Sequence, residues 1–401
     1  MTTQIEAPPR ADLRSQFAIC FFAFILIGVN DGAVGVLIPS LMTHYGVNKA
    51  QISLMFLAAT MGYLSAALTS GMLVERLGRR LFLMLGAGVF AAGAMTLASQ
   101  PPFLLFLAAL LLVGVGIAIL DAGLNAYIGG LPDNTAVLNY LHAFYGAGAL
   151  LGPVVASAIL AVGLGWNVTY LVWFSMALVV LVGFARLMDD SRPTGEHHGG
   201  SNVLTASLRL VVVWLAAGFL FVYVGTEVGL GTWSYTFLLE ERHGVELLSA
   251  WSISGYWLGL TVGRVVLGHF SRRLGDRRLI QLCLGGVVAG VLILWLVPSA
   301  LTAALGLWLI GFSLGPIFPT VIALISGMVP PRLQPSAVGF VASAASMGAA
   351  FFPMIVGNIA ERAGVWTLMP YTIVLTVTML ILWPLLSRHG TYTTDGASDG
   401  G

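Results

Sequence analysis

Apolar residues run through this chain in long stretches, broken only by short segments rich in charge, glycine or proline. A helix needs about 20 apolar residues to cross the hydrocarbon of a bilayer. Twelve stretches meet that length, at 16–41, 51–74, 81–99, 103–131, 137–163, 166–187, 207–239, 247–270, 279–298, 301–329, 335–360 and 366–387. With no water in the hydrocarbon, each segment must satisfy its backbone internally, so the pattern predicts twelve transmembrane helices. The polar remainder sets the organisation. Residues 1–15 form an N-terminal tail, 188–206 a linker rich in Gly, Ser and His, and 388–401 a C-terminal tail. Between them lie a first six-helix half, 16–187, and a second, 207–387.

The halves echo one another at offsets near 200 residues. GMLVERLGRR (71–80) and GHFSRRLGDRR (268–278) each follow a second span and precede a third. Gly152-Pro153 in span five returns as Phe352-Pro353 in span eleven, and GVNDG (28–32) in span one as GTEVG (225–229) in span seven. An internal repeat of this kind predicts an all-α membrane protein of two pseudo-symmetric halves, with a substrate site at mid-membrane between them.

Charge orients the chain. A cytoplasmic N-terminus leaves only Lys49, Arg242 and Arg362 outside and puts every other Lys and Arg inside, as the positive-inside bias requires. Both termini are then cytoplasmic, and the expected location is a plasma (inner) membrane. At 9% charged residues, a mean hydropathy of +0.93 and a net charge of +1, nothing points to a nucleic-acid partner. The first apolar run is too long for a signal-peptide core and lacks a small-residue cleavage site. Cys20 and Cys283 stand alone inside spans and read as small core residues.

Within this apolar background, three buried acids stand out. Asp121 sits near the middle of span four, with Asn125 one turn further along the same face. A carboxylate at that depth costs roughly 2.5–3.5 kcal/mol, so it marks a site for substrate or coupling ion, the alternative being a structural aspartate hydrogen-bonded to a neighbouring helix. Asp31 lies halfway along span one in the glycine-rich GVNDGAVG, beside Asn30. Two carboxyls in one low-dielectric cavity disfavour double ionisation, and a carboxyl that exchanges protons is what proton coupling needs. Asp121 is therefore read as the proton carrier and Asp31 as a second, substrate-side carboxyl, roles that are interchangeable. Glu227 in span seven joins the proton pathway or pairs with Arg264 of span eight, which is read as a gating residue. His142 reads either as a pH-sensitive hydrogen-bonding group or as a lone polar residue hydrogen-bonded inside the bundle, and Trp233 and Tyr256 either offer rings and a hydroxyl to a cavity or serve bundle packing. No histidine spacing fits a metal site, and no cofactor is implied. GVGIAILDAG and GAGALLGP lie inside spans rather than after strands, and the single lysine, Lys49, is in a loop. Nucleotide binding and enzymatic chemistry are excluded on that context.

The segment after span two, with Gly71, Glu75, Arg76, Gly78, Arg79 and Arg80, resembles the signature of the major facilitator superfamily. Glu75 can pair with nearby arginines at the helix ends, so the motif is expected to gate. Inside that superfamily the chain is most similar to the fucose-permease-like sugar–proton symporters. The likeness rests on Asn30-Asp31 followed by Pro39, an acid with Asn four positions on in span four, and NYLHAFYGAGALLGP (139–153). It differs in having Asp121 for that group's glutamate, and His142 and Tyr145 where amides are expected. The resemblance implies a monomeric secondary transporter that moves a small polar solute, a sugar, by proton-coupled alternating access, with sodium as the alternative ion. Asn30, Asn125, His142, Tyr145, Trp233 and Tyr256 are the expected substrate contacts. The rival reading is a proton-driven exporter of amphipathic or lipid-like compounds, because GALLGPVVAS in span five resembles a motif common in facilitator antiporters. A non-transporting scaffold is a third reading, disfavoured by the cost of the mid-membrane acids.

Overall fold

The computed structural model describes residues 13–131, 134–189 and 201–388. Of the expected tails, residues 1–12 and 389–401 lie outside the described residues, as do 190–200 of the linker with His197 and His198; residues 13–15, read as tail, already belong to the first helix. Among those described there is no β-strand, and the spans follow the apolar stretches: Leu13–Tyr45, Leu54–Leu77, Arg79–Ala98, Phe103–Gly129, Asn134–Ala161 and Trp166–Leu187, then Val211–Glu240, Glu246–Leu274, Asp276–Leu296, Ala300–Leu314 with Ile317–Met328, Gln334–Ala363 and Leu368–Ser387. Eleven are long and apolar enough to cross a membrane by composition alone. The twelfth, Glu246–Leu274, carries Glu246, Arg264, Arg272 and Arg273 along its length, which dilutes its hydropathy.

Three local features differ from the sequence expectation. A separate turn of helix, Lys49–Ile52, precedes span two because Asn48 and Gln51 form a reciprocal capping box. Span ten breaks at Gly315-Pro316, where proline has no N–H to continue the ladder and instead caps the next segment. Ser201–Leu208, in the stretch read as linker, is a short helix.

The repeat is visible in the backbone. Left-handed residues recur at matching places: Gly46 (φ 62°) and His243 (φ 49°), Gly78 (φ 78°) and Gly275 (φ 74°), Gly163 (φ 80°) and Gly364 (φ 93°). Gly78 and Gly275 each cap the third span of their half, a conformation that a side chain would strain. Close helix contacts recur as well. A Cβ on Gly62 of span two would strike the Leu111 carbonyl of span four, and one on Gly259 of span eight would strike the Trp308 carbonyl of span ten. Small residues of this kind let helix backbones touch where no hydrophobic effect drives association.

By contact, the chain groups into two compact units. Among the described residues, the first takes those up to Asn30, then Met61–Gly148 and 167–189; the second takes Asp31–Thr60, Ala149–Trp166 and 201–388. Spans one, two and five are thus divided. Their ends nearest Tyr45, Lys49 and Ala161 belong with the helices of the second half, as the backbone of Gly35 against Thr232 and the Ser254 hydroxyl donating to Leu150 O at 2.8 Å demonstrate.

Candidate functional site

Span four places Asp121 and Asn125 one helical turn apart, so the amide reaches back to the carboxylate. Asn125 Nδ2 donates to Asp121 Oδ1 at 2.8 Å and to the Asp121 carbonyl at 2.9 Å. The other carboxylate oxygen, Oδ2, accepts from the Tyr63 hydroxyl of span two at 2.8 Å. Tyr63 is aimed by packing: its ring lies against an apolar cluster of Ala66, Phe82, Ala118 and Ile119. Both oxygens of Asp121 therefore face donors. This is how a half-buried carboxylate is tolerated away from bulk water, since a hydrogen bond to a charged group contributes about 1.5–3 kcal/mol. His142 of span five is close enough to interact electrostatically with Asp121. Its ring is exposed and stands edge-on to Phe24 of span one, with centroids 5.6 Å apart.

These residues, with Asn30 and Tyr145, belong to the first unit. Asn30 is buried and Tyr145 half-buried. Asp31, half-buried, begins the stretch of span one that groups with the second unit.

The second unit has its own acid cluster. The Glu227 carboxyl interacts electrostatically with Tyr223 and Arg264. Tyr223 donates its hydroxyl to Leu314 O at 2.9 Å, and Tyr256 donates to the Glu227 carbonyl at 2.8 Å. Arg264 Nε donates to Gly315 O at 3.2 Å, beside the break in span ten. Trp233 and Tyr256 are completely buried, and the Trp233 indole donates to Pro353 O at 3.0 Å. Their polar atoms are thus committed to the chain itself.

The motif after span two is held by residues that sequence reasoning did not single out. Gly71 is half-buried, while Glu75 and Arg76 are exposed. Gly78 turns the chain, and Arg79 lays its guanidinium 4.6 Å over the Tyr127 ring, a cation–π contact. Tyr127 in turn donates to Gln16 Oε1, and Gln16 Nε2 donates to Leu187 O at 3.0 Å. Arg79 is thereby tied to spans four, one and six; Arg80 is half-buried beside it. Tyr63, Gln16, Tyr127 and Tyr223 were missed. Their only signal was a polar group in an otherwise apolar span, which many satisfied tyrosines share.

The Tyr63 contact makes a direct prediction. Tyr63→Phe keeps the ring in its apolar cluster and removes one donor from Asp121. On the sequence expectation that Asp121 carries a coupling proton, uptake should fall roughly tenfold to a hundredfold, the equivalent of a charged hydrogen bond at about 1.4 kcal/mol per tenfold. Initial uptake rates in proteoliposomes check this, and unchanged rates would separate Tyr63 from coupling.

Comparison with known proteins follows the same lines. The chain is 26% identical over 390 residues to the yeast Bypass of stop codon protein 6 from Saccharomyces cerevisiae, covering 88% of this chain and 78% of that one. It is 23% identical over 383 residues to a glucose/mannose transporter of Bacillus subtilis, covering 91% of each. A glucose/galactose transporter of Brucella abortus is 27% identical over 358 residues, with 82% of this chain and 84% of the relative covered. Among solved structures, a bacterial homologue of the human lysosomal transporter Spinster, in an inward-facing and unoccupied conformation, superposes with a TM-score of 0.83 at 14% identity over 97% of this chain and 100% of that one. The fucose:proton symporter of Escherichia coli superposes at 0.64 and 17% identity over 92% and 98%. The family model described as Major Facilitator Superfamily matches residues 20–353 and 246–399. With a twelve-helix fold, a repeated pair of six-helix halves and a family match across most of its length, the chain belongs to the major facilitator superfamily and is a membrane transporter, not an enzyme.

Proposed function

We propose that the protein carries a sugar across the membrane together with protons, by alternating access, as a monomer in the plasma (inner) membrane with both termini cytoplasmic. The observation that carries this reading is the Tyr63–Asp121–Asn125 constellation: a carboxylate in mid-span, both oxygens held by donors, with His142 within electrostatic reach. A scaffold has no use for such a group, whereas a proton carrier needs one that can switch between two hydrogen-bonded states. The similarity to glucose/mannose and glucose/galactose transporters supports a sugar as the solute. The charge distribution supports the orientation, and the halves 16–187 and 207–387, joined by 188–206 and flanked by tails 1–15 and 388–401, are the moving bodies of the cycle.

In this scheme Asp121 takes the proton, and Asp31 and Glu227 are the further acids of the pathway. Asn30, Asn125, His142 and Tyr145 meet the solute. Trp233 and Tyr256 contribute ring faces only, since their polar atoms already bond the chain. Gly71, Glu75, Arg76, Gly78, Arg79 and Arg80 gate the cytoplasmic end, with Arg264 acting similarly in the second half.

The test is substrate-induced pH change in sealed proteoliposomes. A panel of hexoses and pentoses is run beside amphipathic cations and lysolipids, with a sodium-for-potassium exchange as a further arm. Alkalinisation on addition of a sugar, independent of sodium, is the expected result. A signal restricted to the amphipathic panel would replace this reading with that of a proton-driven exporter.

A further inference from the structure

The end of the second unit that carries residues 43–53, 238–249 and 357–367 is held by charge as well as by packing. Lys49, the one lysine of the chain, lies between spans one and two. Its ammonium is 3.0 Å from Glu240 Oε2 at the end of span seven, and its backbone N–H donates to Glu361 Oε2 of span eleven at 2.9 Å. The Asn48–Gln51 capping box holds the short turn that presents Lys49 to both: Gln51 N donates to Asn48 Oδ1 at 2.8 Å, and Asn48 N to Gln51 Oε1 at 3.0 Å. On the same turn the Ser53 hydroxyl donates to Lys49 O at 2.6 Å and lies where a Cβ on Gly357 of span eleven would have to go. Glu241, next to Glu240, accepts from Trp366 N at 3.0 Å, which ties the end of span seven to the start of span twelve. Residue 49 thus engages two acidic helix ends, Glu240 through its ammonium and Glu361 through its peptide N–H, with a third carboxylate committed alongside.

We infer that Lys49 is a positioning residue of the transport cycle: with its ammonium on Glu240 and its peptide N–H on Glu361 it latches this end of the protein closed, and the cycle must break these contacts to open it. The inference rests on the transporter reading for its purpose but not for its test. A lysine suits the role because its ammonium is a point charge on a flexible stem, strong enough to bias an end and able to let go. The Glu240 side chain is 46% exposed against 16% for Lys49, so the pair belongs to the weak, breakable class of partly solvated ion pairs rather than to the buried class.

Because Lys49 is the only lysine, an impermeant amine-acylating ester followed by mass spectrometry of the peptide bearing it reports how often the latch opens. Glu240→Gln, which removes the ion pair, should raise the acylation rate about twofold to fivefold, and Glu361→Ala, which removes the acceptor of the Lys49 N–H, should raise it as well. A second readout separates opening from a local change in amine reactivity. Spin labels at Thr43→Cys and Val245→Cys, in a Cys20→Ala and Cys283→Ala background, should shift toward longer distances in both variants. They should return to the short distance when Lys49→Glu is combined with Glu240→Lys, though either reversal alone lengthens it. Neither readout needs a substrate, so a failed sugar assay would overturn the proposed solute and leave the latch standing. Unchanged label distances in every variant, even with a lowered melting temperature, would overturn the latch and reduce Lys49 to a structural ion pair.

Discussion

Asp121→Asn is expected to collapse concentrative uptake to simple equilibration while leaving exchange of solute across the membrane intact. Asparagine has the shape of the ionised aspartate and keeps one acceptor for Asn125 Nδ2, now at 2.8 Å from Oδ1. The Tyr63 hydroxyl, which donates to Oδ2 in the parent, can turn and accept from the new amide. The constellation therefore survives, and only the capacity to take a proton is lost. The expected size follows from the driving force. Each elementary charge moved contributes about 2.3 kcal/mol per 100 mV, worth about fiftyfold accumulation for one proton per solute. An imposed potential of that size should drive accumulation of that order in the parent and none in the variant, whereas counterflow with solute on both sides should proceed in both. Retained accumulation in Asp121→Asn would remove Asp121 from the coupling role and turn attention to Asp31 and Glu227.

The second large effect concerns packing. Gly62→Val should cost about 1–3 kcal/mol and lower the melting temperature of the purified protein, because its side chain would be driven into the Leu111 carbonyl. A flexible side chain could yield; a helix backbone cannot without the spans moving apart. Since Gly62 precedes Tyr63 on span two and Leu111 lies on the span that carries Asp121, that separation should also lengthen the Tyr63–Asp121 bond. Uptake is thus expected to fall together with stability. Gly259→Val should behave alike through the Trp308 carbonyl, while Gly88→Ala, with no neighbour near the added carbon, should be neutral or slightly stabilising. Thermal unfolding followed by fluorescence-detected size exclusion ranks the three, and equal midpoints for Gly62→Val and Gly88→Ala would contradict the close approach.

Both effects bear on how far the chain can be read without its fold. The spans were legible because the bilayer imposes one rule on every residue that crosses it: about 20 apolar positions and a backbone satisfied within the segment. The repeat was legible for a related reason, since equal lengths and equal turn glycines must recur if the halves are alike, and Gly78 and Gly275 do adopt matching left-handed turns. The contact of Asn125 with Asp121 was legible because it is local, four residues apart on a helix of 3.6 per turn.

What sequence could not supply was the choice of partner between helices. Tyr63 lies 58 residues from Asp121, and Glu361 lies 312 from Lys49. Such pairs depend on the rotation of each helix about its axis and on how closely it approaches its neighbour. Span seven makes the difficulty plain. Its apolar residues lie on every side, and every residue from Gly229 to Leu238 is buried, so no hydrophobic stripe says which side of Trp233 faces a cavity. The structure turns the Trp233 indole to Pro353 and the Tyr256 hydroxyl to the Glu227 carbonyl. By itself the sequence determined that this chain crosses a membrane twelve times in two like halves, with acids inside the spans, because those features follow from local helix geometry and from the thickness of the bilayer. The tertiary structure alone decided which donor holds each acid and which carboxylates hold Lys49, because helix rotation and approach are set by steric fit between spans, such as the contact of Gly62 with Leu111.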